Sequence, residues 1–222
     1  IDVDLKVFAT LKEQKEFWDE YIGFLKDNID DFDKKFVIKK TLNKGFHILY
    51  RCSKIAGNTK IAKLKGHTEA LIESRGMGGM VIAYKDTLSK INYHEIKEIT
   101  EEDRDIIWSC SRTYNYVNDI PIEPKKNKEE YQENEITCWD DYNQKTDIFD
   151  VIGSDFSIVA NHSKKYVIKR HGSSSPTSGY VYKEDNRMYL FSTGTIYPHE
   201  KQVTPFIAYA YKYCNEDFSL AA

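Results

Sequence analysis

The chain contains 222 residues, of which 41% are hydrophobic and 30% are charged, and its formal net charge is −3. This charge argues against a general basic coat for nucleic acid, although it leaves a local basic surface open. No apolar run approaches the ~20 residues of a membrane span, so we expect a cytoplasmic protein with no membrane partner. The four scattered cysteines form no C-x-x-C pair, which favours reduced thiols over a zinc site or a disulfide framework.

The first hundred residues predict helices packed on a mainly antiparallel sheet. Residues 1–7 are typical of a strand, and Thr10 with Glu13 forms a capping box before a helix that ends near Ile29. Thr100 is expected to cap a second helix. Four further strands are predicted, at residues 36–38, 46–50, 70–73 and 80–83. The pattern is therefore α+β, with a helix-backed sheet.

Residues 118–134 carry two prolines and a dense run of charges with little apolar periodicity, which predicts a linker. The linker would separate a first domain at 1–117 from a small α+β domain at 135–222. In the second domain we expect a last helix capped by Thr204, with Pro205 at its first position. A short helix is predicted near 147–152, and strands are predicted near 157–160, 166–170, 180–182 and 188–191.

Asp2 and Asp4 are the first candidate site residues. On a strand, residues i and i+2 point to one face, and two carboxylates so placed suit hard divalent cations. His47 and Glu73 lie in apolar, strand-like runs that a sheet would bring beside them. A D-x-D pair also arises by chance, and a lone strand histidine is more often structural. From these residues alone, a metal site and an ordinary packed sheet both remain open.

Three motifs occur in order: Asp2-Val3-Asp4, Thr41-Leu42-Asn43-Lys44-Gly45-Phe46-His47 and Glu73-Ser74-Arg75-Gly76-Met77-Gly78-Gly79. Together they resemble the motifs of the primase-polymerase family of the archaeo-eukaryotic primase superfamily, found in phage and plasmid replication proteins. Lys44 stands where that family often has a glycine. Farther along, Trp139-Asp140-Asp141-Tyr142-Asn143 resembles the start of the small domain that follows the family's catalytic core.

The resemblance implies a DNA primase and polymerase that joins nucleoside triphosphates on a single-stranded DNA template. Asp2, Asp4 and Glu73 would then be catalytic and hold two Mg²⁺ or Mn²⁺ ions. His47 would bind the nucleotide triphosphate, with Lys44 and Arg75 as helpers. A replicative helicase domain or protein is an expected partner. The alternatives are a non-catalytic DNA-binding or docking module of a replication protein and, third, a metal-dependent nuclease.

Members of that family usually carry a further α/β segment before the aspartate pair. This chain begins at the pair, so we expect it to lack that segment. The second domain is expected to assist and not to catalyse. Its tyrosines at 166, 180, 182 and 189 alternate with Lys165, Lys169 and Arg170, a mixture that suits either base stacking with phosphate contacts or an ordinary packing face.

Overall fold

The structure is a computed structural model that describes residues 1–85, 88–116 and 136–222. The predicted linker at 118–134 lies outside these residues. The chain divides into two compact units, Ile1–Tyr116 and Val117–Ala222. In the part of the chain that is described, no helix is both long enough and apolar enough to cross a membrane.

The first unit contains a five-stranded sheet in which every neighbouring pair is antiparallel. Its strands, in chain order, are β1 (Asp2–Val3), β2 (Val37–Lys40), β3 (Phe46–Leu49), β4 (Thr59–Ala62) and β5 (Ile72–Ser74). The spatial order is β2-β3-β1-β5-β4, so the short β1 lies at the centre. The predicted α+β class is confirmed.

The first unit also contains the helices α1 (Leu11–Asn28), α2 (Phe32–Lys35) and α3 (Glu101–Arg112). The predicted capping box is present, because Glu13 N–H donates to the Thr10 hydroxyl and Thr10 N–H donates to the Glu13 carboxylate. The Thr100 hydroxyl likewise accepts from Asp103 N–H at the start of α3. Both helix starts therefore follow from local capping chemistry.

Strand alternation gives the first sheet one apolar face. Val3, Ile48 and Ile72 are completely buried. The ring of Trp18 on α1 stacks on Phe46, with 3.7 Å between ring centroids. These contacts place α1 on the apolar face. The residues that alternate with these apolar residues along each strand therefore point to the opposite face.

Two strand predictions are wrong. The expected strand over 1–7 stops at Val3, because Asp4 accepts a hydrogen bond from Lys6 N–H and caps a 3₁₀ turn at Leu5–Val7. Residues 80–83 form no strand, and Met80 is 87% exposed. Strand β5 pairs with β1 and with β4, and β4 was not predicted.

The second unit is also α+β. Its strands β6 (Phe156–Asn161), β7 (Lys165–Arg170), β8 (Gly179–Tyr182), β9 (Arg187–Leu190) and β10 (Gln202–Val203) form an antiparallel sheet in sequential order. Its helices are α4 (Cys138–Lys145), α5 (Ile148–Ile152), α6 (Pro205–Tyr213) and α7 (Phe218–Ala221). The predicted Thr204 cap and Pro205 at the first helical position are both confirmed.

The tyrosines of the second sheet are mainly packing residues. Tyr180, Tyr182 and Tyr189 are at most 8% exposed, and the rings of Tyr180 and Tyr189 stack with their centroids 5.3 Å apart. Lys165 Nζ lies 3.8 Å from the centroid of the Tyr180 ring. Because these rings are covered, the geometry favours the packing interpretation over base stacking.

Candidate functional site

A row of polar residues crosses the first sheet. Asp2 on the central strand lies directly opposite His47 on one side and Glu73 on the other. The row continues to Lys39 opposite His47 and to Lys60 opposite Glu73. Directly opposite side chains share one face of a sheet, so the pairing brings the predicted residues Asp2, His47 and Glu73 together on the face that α1 leaves open.

His47 is the most buried member of the predicted site. It is 7% exposed, and its Nε2 lies 3.6 Å from Asp2 Oδ1. Burial lowers the pKa of the imidazole, with the nearby Arg75 adding to this effect and Asp2 opposing it. The ring is therefore neutral at pH 7, with one nitrogen as donor and the other as acceptor.

Asp4 departs from the expected arrangement. Because β1 ends at Val3, Asp4 does not continue the strand beside Asp2. Its carboxylate accepts from Lys6 N–H at 3.1 Å and pairs with Lys6 Nζ at 2.9 Å. Asp4 nevertheless lines the same cleft as Asp2, so the two carboxylates reach one space from different backbone conformations.

Arg75 lies between the two carboxylates of the row. Its Nη2 donates to Glu73 Oε1, and its Nε is 3.9 Å from Asp2 Oδ2. The guanidinium therefore neutralises part of the negative charge that a divalent cation would otherwise meet. Among the described residues, no three His, Cys, Asp or Glu side chains form a group that could hold a metal ion.

The β2–β3 turn forms one edge of the cleft. Lys44 adopts φ 65°, a left-handed conformation that glycine favours. The family that the three motifs resemble often has glycine at this position. A Cβ on Gly45 would lie 2.4 Å from the carbonyl oxygen of Val3, so only glycine lets the turn approach β1 this closely. The Lys44 side chain is exposed and does not line the cleft.

The cleft has a volume of about 220 Å³. Sequence reasoning missed Thr41 and Asn43, which line it with side chains able to donate hydrogen bonds. It also missed Lys39 as a neighbour of His47. Lys39 is 2% exposed, and its Nζ donates to the Lys85 carbonyl at 3.0 Å. The alternation of β2 and β3 could have identified Lys39 only once their register was known.

A second cleft of about 480 Å³ lies in the same unit, and Arg75 lines both. Arg104 and Trp108 belong to its wall, and the Arg104 guanidinium carbon lies 4.2 Å from the centroid of the Trp108 ring. Arg51 and Lys54 also line it, so with Arg75 and Arg104 it carries four basic lining residues. Asp105 offsets part of this charge through ion pairs with Lys54 at 3.1 Å and with Arg104 at 2.8 Å.

Comparisons with known proteins leave the family open: no family model, no curated protein and no solved structure matches this chain.

Proposed function

We propose that the first unit is the nucleotidyl-transfer core of a DNA primase-polymerase, acting on nucleoside triphosphates and single-stranded DNA. The observation that supports the proposal most is the register of the central strand, which aligns Asp2 with both His47 and Glu73. These are residues of three separate motifs, and they reach one face of one sheet. Such convergence is what a shared active site requires.

By residue type the carboxylates suit hard divalent cations, although the described side chains do not form a group of three that could hold one. Asp2 and Glu73 are directly opposite each other, and Asp4 lines the same cleft as Asp2, so the available ligands are carboxylate oxygens of the kind that Mg²⁺ and Mn²⁺ accept. When bound, two such ions would activate the attacking hydroxyl and neutralise the leaving pyrophosphate. The guanidinium of Arg75 would have to move off Glu73 for the carboxylate to serve as a ligand.

His47 is suited to hold the triphosphate. A neutral imidazole donates one N–H to a phosphate oxygen, and the lowered pKa keeps the ring in that form at pH 7. Burial of the ring between Asp2 and Tyr84, whose ring centroid is 5.5 Å away, restricts its orientation. Arg75, once displaced, can offer its planar fork to a second phosphate oxygen.

The larger cleft provides a route for single-stranded DNA. Its basic side chains suit the phosphate backbone, and Trp108 with Tyr50 offers aromatic surface beside them. Because Arg75 lines both clefts, a strand bound there would pass next to the carboxylate row.

The proposal is tested by extension of a labelled primer on a single-stranded template with Mn²⁺. Replacing Asp2 and Asp4 together by Asn keeps the side-chain shapes and should abolish extension. The matched control replaces Asp27 and Asp30, two exposed acids of the same unit, by Asn and should extend at the wild-type rate. Extension that survives the Asp2 and Asp4 changes would contradict the metal-site assignment, and cleavage without incorporation would favour a nuclease.

A non-catalytic DNA-binding module is the second candidate, and the contact of Arg75 with Glu73 favours it. In that case the guanidinium would remain on the carboxylates permanently. Calorimetric titration with Mn²⁺ separates the two functions, because a binding module would take up single-stranded DNA but no metal at the row.

A further inference from the structure

Arg170 lies at the end of β7 in the second unit, at the edge of the hydrophobic core. Its strand partner is Phe156, and the strand period places it on the same face as Ile168. Phe156 and Ile168 both belong to the core, where Phe156 is 4% exposed and Ile168 is completely buried. The stem of Arg170 therefore extends along the end of a packed core and not into open solvent.

The Arg170 guanidinium has no acidic partner among the described residues. Its Nε is buried and forms no hydrogen bond there, and no described carboxylate lies within 4.0 Å of its nitrogens. The neighbouring Asp155 carboxylate is already engaged, because it accepts from the Tyr197 hydroxyl at 2.5 Å and pairs with Lys212 at 2.9 Å. A partly buried charge without a partner costs free energy, so its presence points to a ligand that supplies the missing anion.

Two loops lie next to Arg170. The loop after β7 returns to its backbone, because Ser173 N–H donates to the Arg170 carbonyl at 3.1 Å and Arg170 N–H donates to the Ser178 hydroxyl at 3.0 Å. The loop after β9 reaches the guanidinium itself, because a Cβ on Gly194 would lie 3.2 Å from Arg170 Nη2. Glycine at 194 thus leaves room for the guanidinium.

The two loops are rich in hydroxyls and contain no acid. Residues 171–178 read His-Gly-Ser-Ser-Ser-Pro-Thr-Ser, and residues 191–195 read Phe-Ser-Thr-Gly-Thr. The hydroxyls of Ser174, Ser192 and Thr193 form no hydrogen bond within the described residues. A guanidinium with an unbonded Nε, at the junction of two hydroxyl-rich loops, matches the chemistry of a phosphate oxyanion, which accepts two parallel N–H bonds from one arginine.

We propose that Arg170, with the loops at 171–178 and 191–195, forms a phosphate-binding site in the second unit. Its ligand is a phosphate group, carried either by a nucleic-acid backbone or by a small phosphorylated compound. The inference does not depend on catalysis by the first unit, because it rests only on contacts within the second.

The test uses the whole chain, labelled with ¹⁵N and titrated separately with inorganic phosphate and with a single-stranded dT oligonucleotide at equal phosphate concentration. Binding should shift the Arg170 Nε–H signal and the amide signals of Ser173, Ser174 and Gly194. Shifts with the oligonucleotide alone would assign the site to a nucleic-acid backbone. Comparable shifts with inorganic phosphate would assign it to a small phosphorylated ligand. No shift with either probe would overturn the proposal.

Variants then test whether the guanidinium itself is the anchor. Arg170→Gln should abolish the shifts caused by whichever probe binds, while Lys164→Gln, which removes one exposed charge from the same unit, should leave them intact. Gly194→Ala keeps every charge but crowds Nη2, so it should weaken binding several-fold. If the oligonucleotide binds, Arg170→Gln should also make the negative slope of log K against log salt shallower by ~0.7, the value for one single-strand phosphate contact. Equal effects of Arg170→Gln and Lys164→Gln would overturn the proposal.

Discussion

Replacing Arg75 by Gln should tighten the binding of Mn²⁺ and weaken the binding of a nucleoside triphosphate. The guanidinium contacts Glu73 and lies 3.9 Å from Asp2, so it competes with a metal ion for the same carboxylates. Glutamine removes this competing charge while keeping a polar side chain. The same change removes a bidentate phosphate donor, so the two affinities should move in opposite directions.

The size of the metal effect follows from the distance and from the exposure of the groups. Two unit charges ~4 Å apart interact by about 4 kcal/mol at an effective dielectric constant of about 20. The side chains of Arg75, Asp2 and Glu73 are 34%, 25% and 20% exposed, so solvent screens this interaction. Screening reduces the net value to about 1 kcal/mol, which corresponds to a gain in Mn²⁺ affinity of roughly fivefold.

Isothermal titration with Mn²⁺, and then with a nucleoside triphosphate in the presence of Mn²⁺, measures both changes. Lys12→Gln is the matched control, because Lys12 is an exposed cation on α1, which packs on the opposite face of the sheet. Weaker Mn²⁺ binding in Arg75→Gln would refute the competition between the guanidinium and the metal. A gain in Mn²⁺ affinity no larger than the gain in Lys12→Gln would refute it as well.

Three further predictions concern stability. Thr10→Ala removes the capping box of α1 and should lower the free energy of unfolding of the first unit by about 1 kcal/mol in urea titrations, so an unchanged unfolding midpoint would contradict it. Ser111→Ala should lower the free energy of unfolding more than Tyr21→Phe does in the same assay, because it leaves the buried Tyr21 hydroxyl without the hydrogen bond that it now makes with Ser111 Oγ at 2.7 Å. Equal losses would argue against this. Burial lowers the pKa of His162 from 6.5 to about 4, so the unfolded chain takes up a proton before the folded chain does as pH falls below 6.5. The second unit should therefore lose about 2 kcal/mol of unfolding free energy between roughly pH 6.5 and 5, a loss that should be absent in His162→Gln.

Local sequence patterns were enough to predict much of each unit. The Thr10 and Thr100 caps are formed by hydrogen bonds that span only three residues, so the sequence carries all the information they need. The alternation of Phe46, His47 and Ile48 likewise predicted that the His47 side chain points away from the apolar face, because a strand has a period of two. The α+β class follows from these elements.

Only the tertiary structure decided how the candidate site is assembled. Asp2 meets His47 and Glu73 through pairings between residues far apart in the chain, and no local pattern sets such a register. The same register brought Lys39 beside His47, and the side-chain conformation of Arg75 placed a cation on Glu73. Asp4 left the strand because its own carboxylate capped the next turn, a competition between local hydrogen bonds and strand pairing that the D-x-D spacing does not reveal.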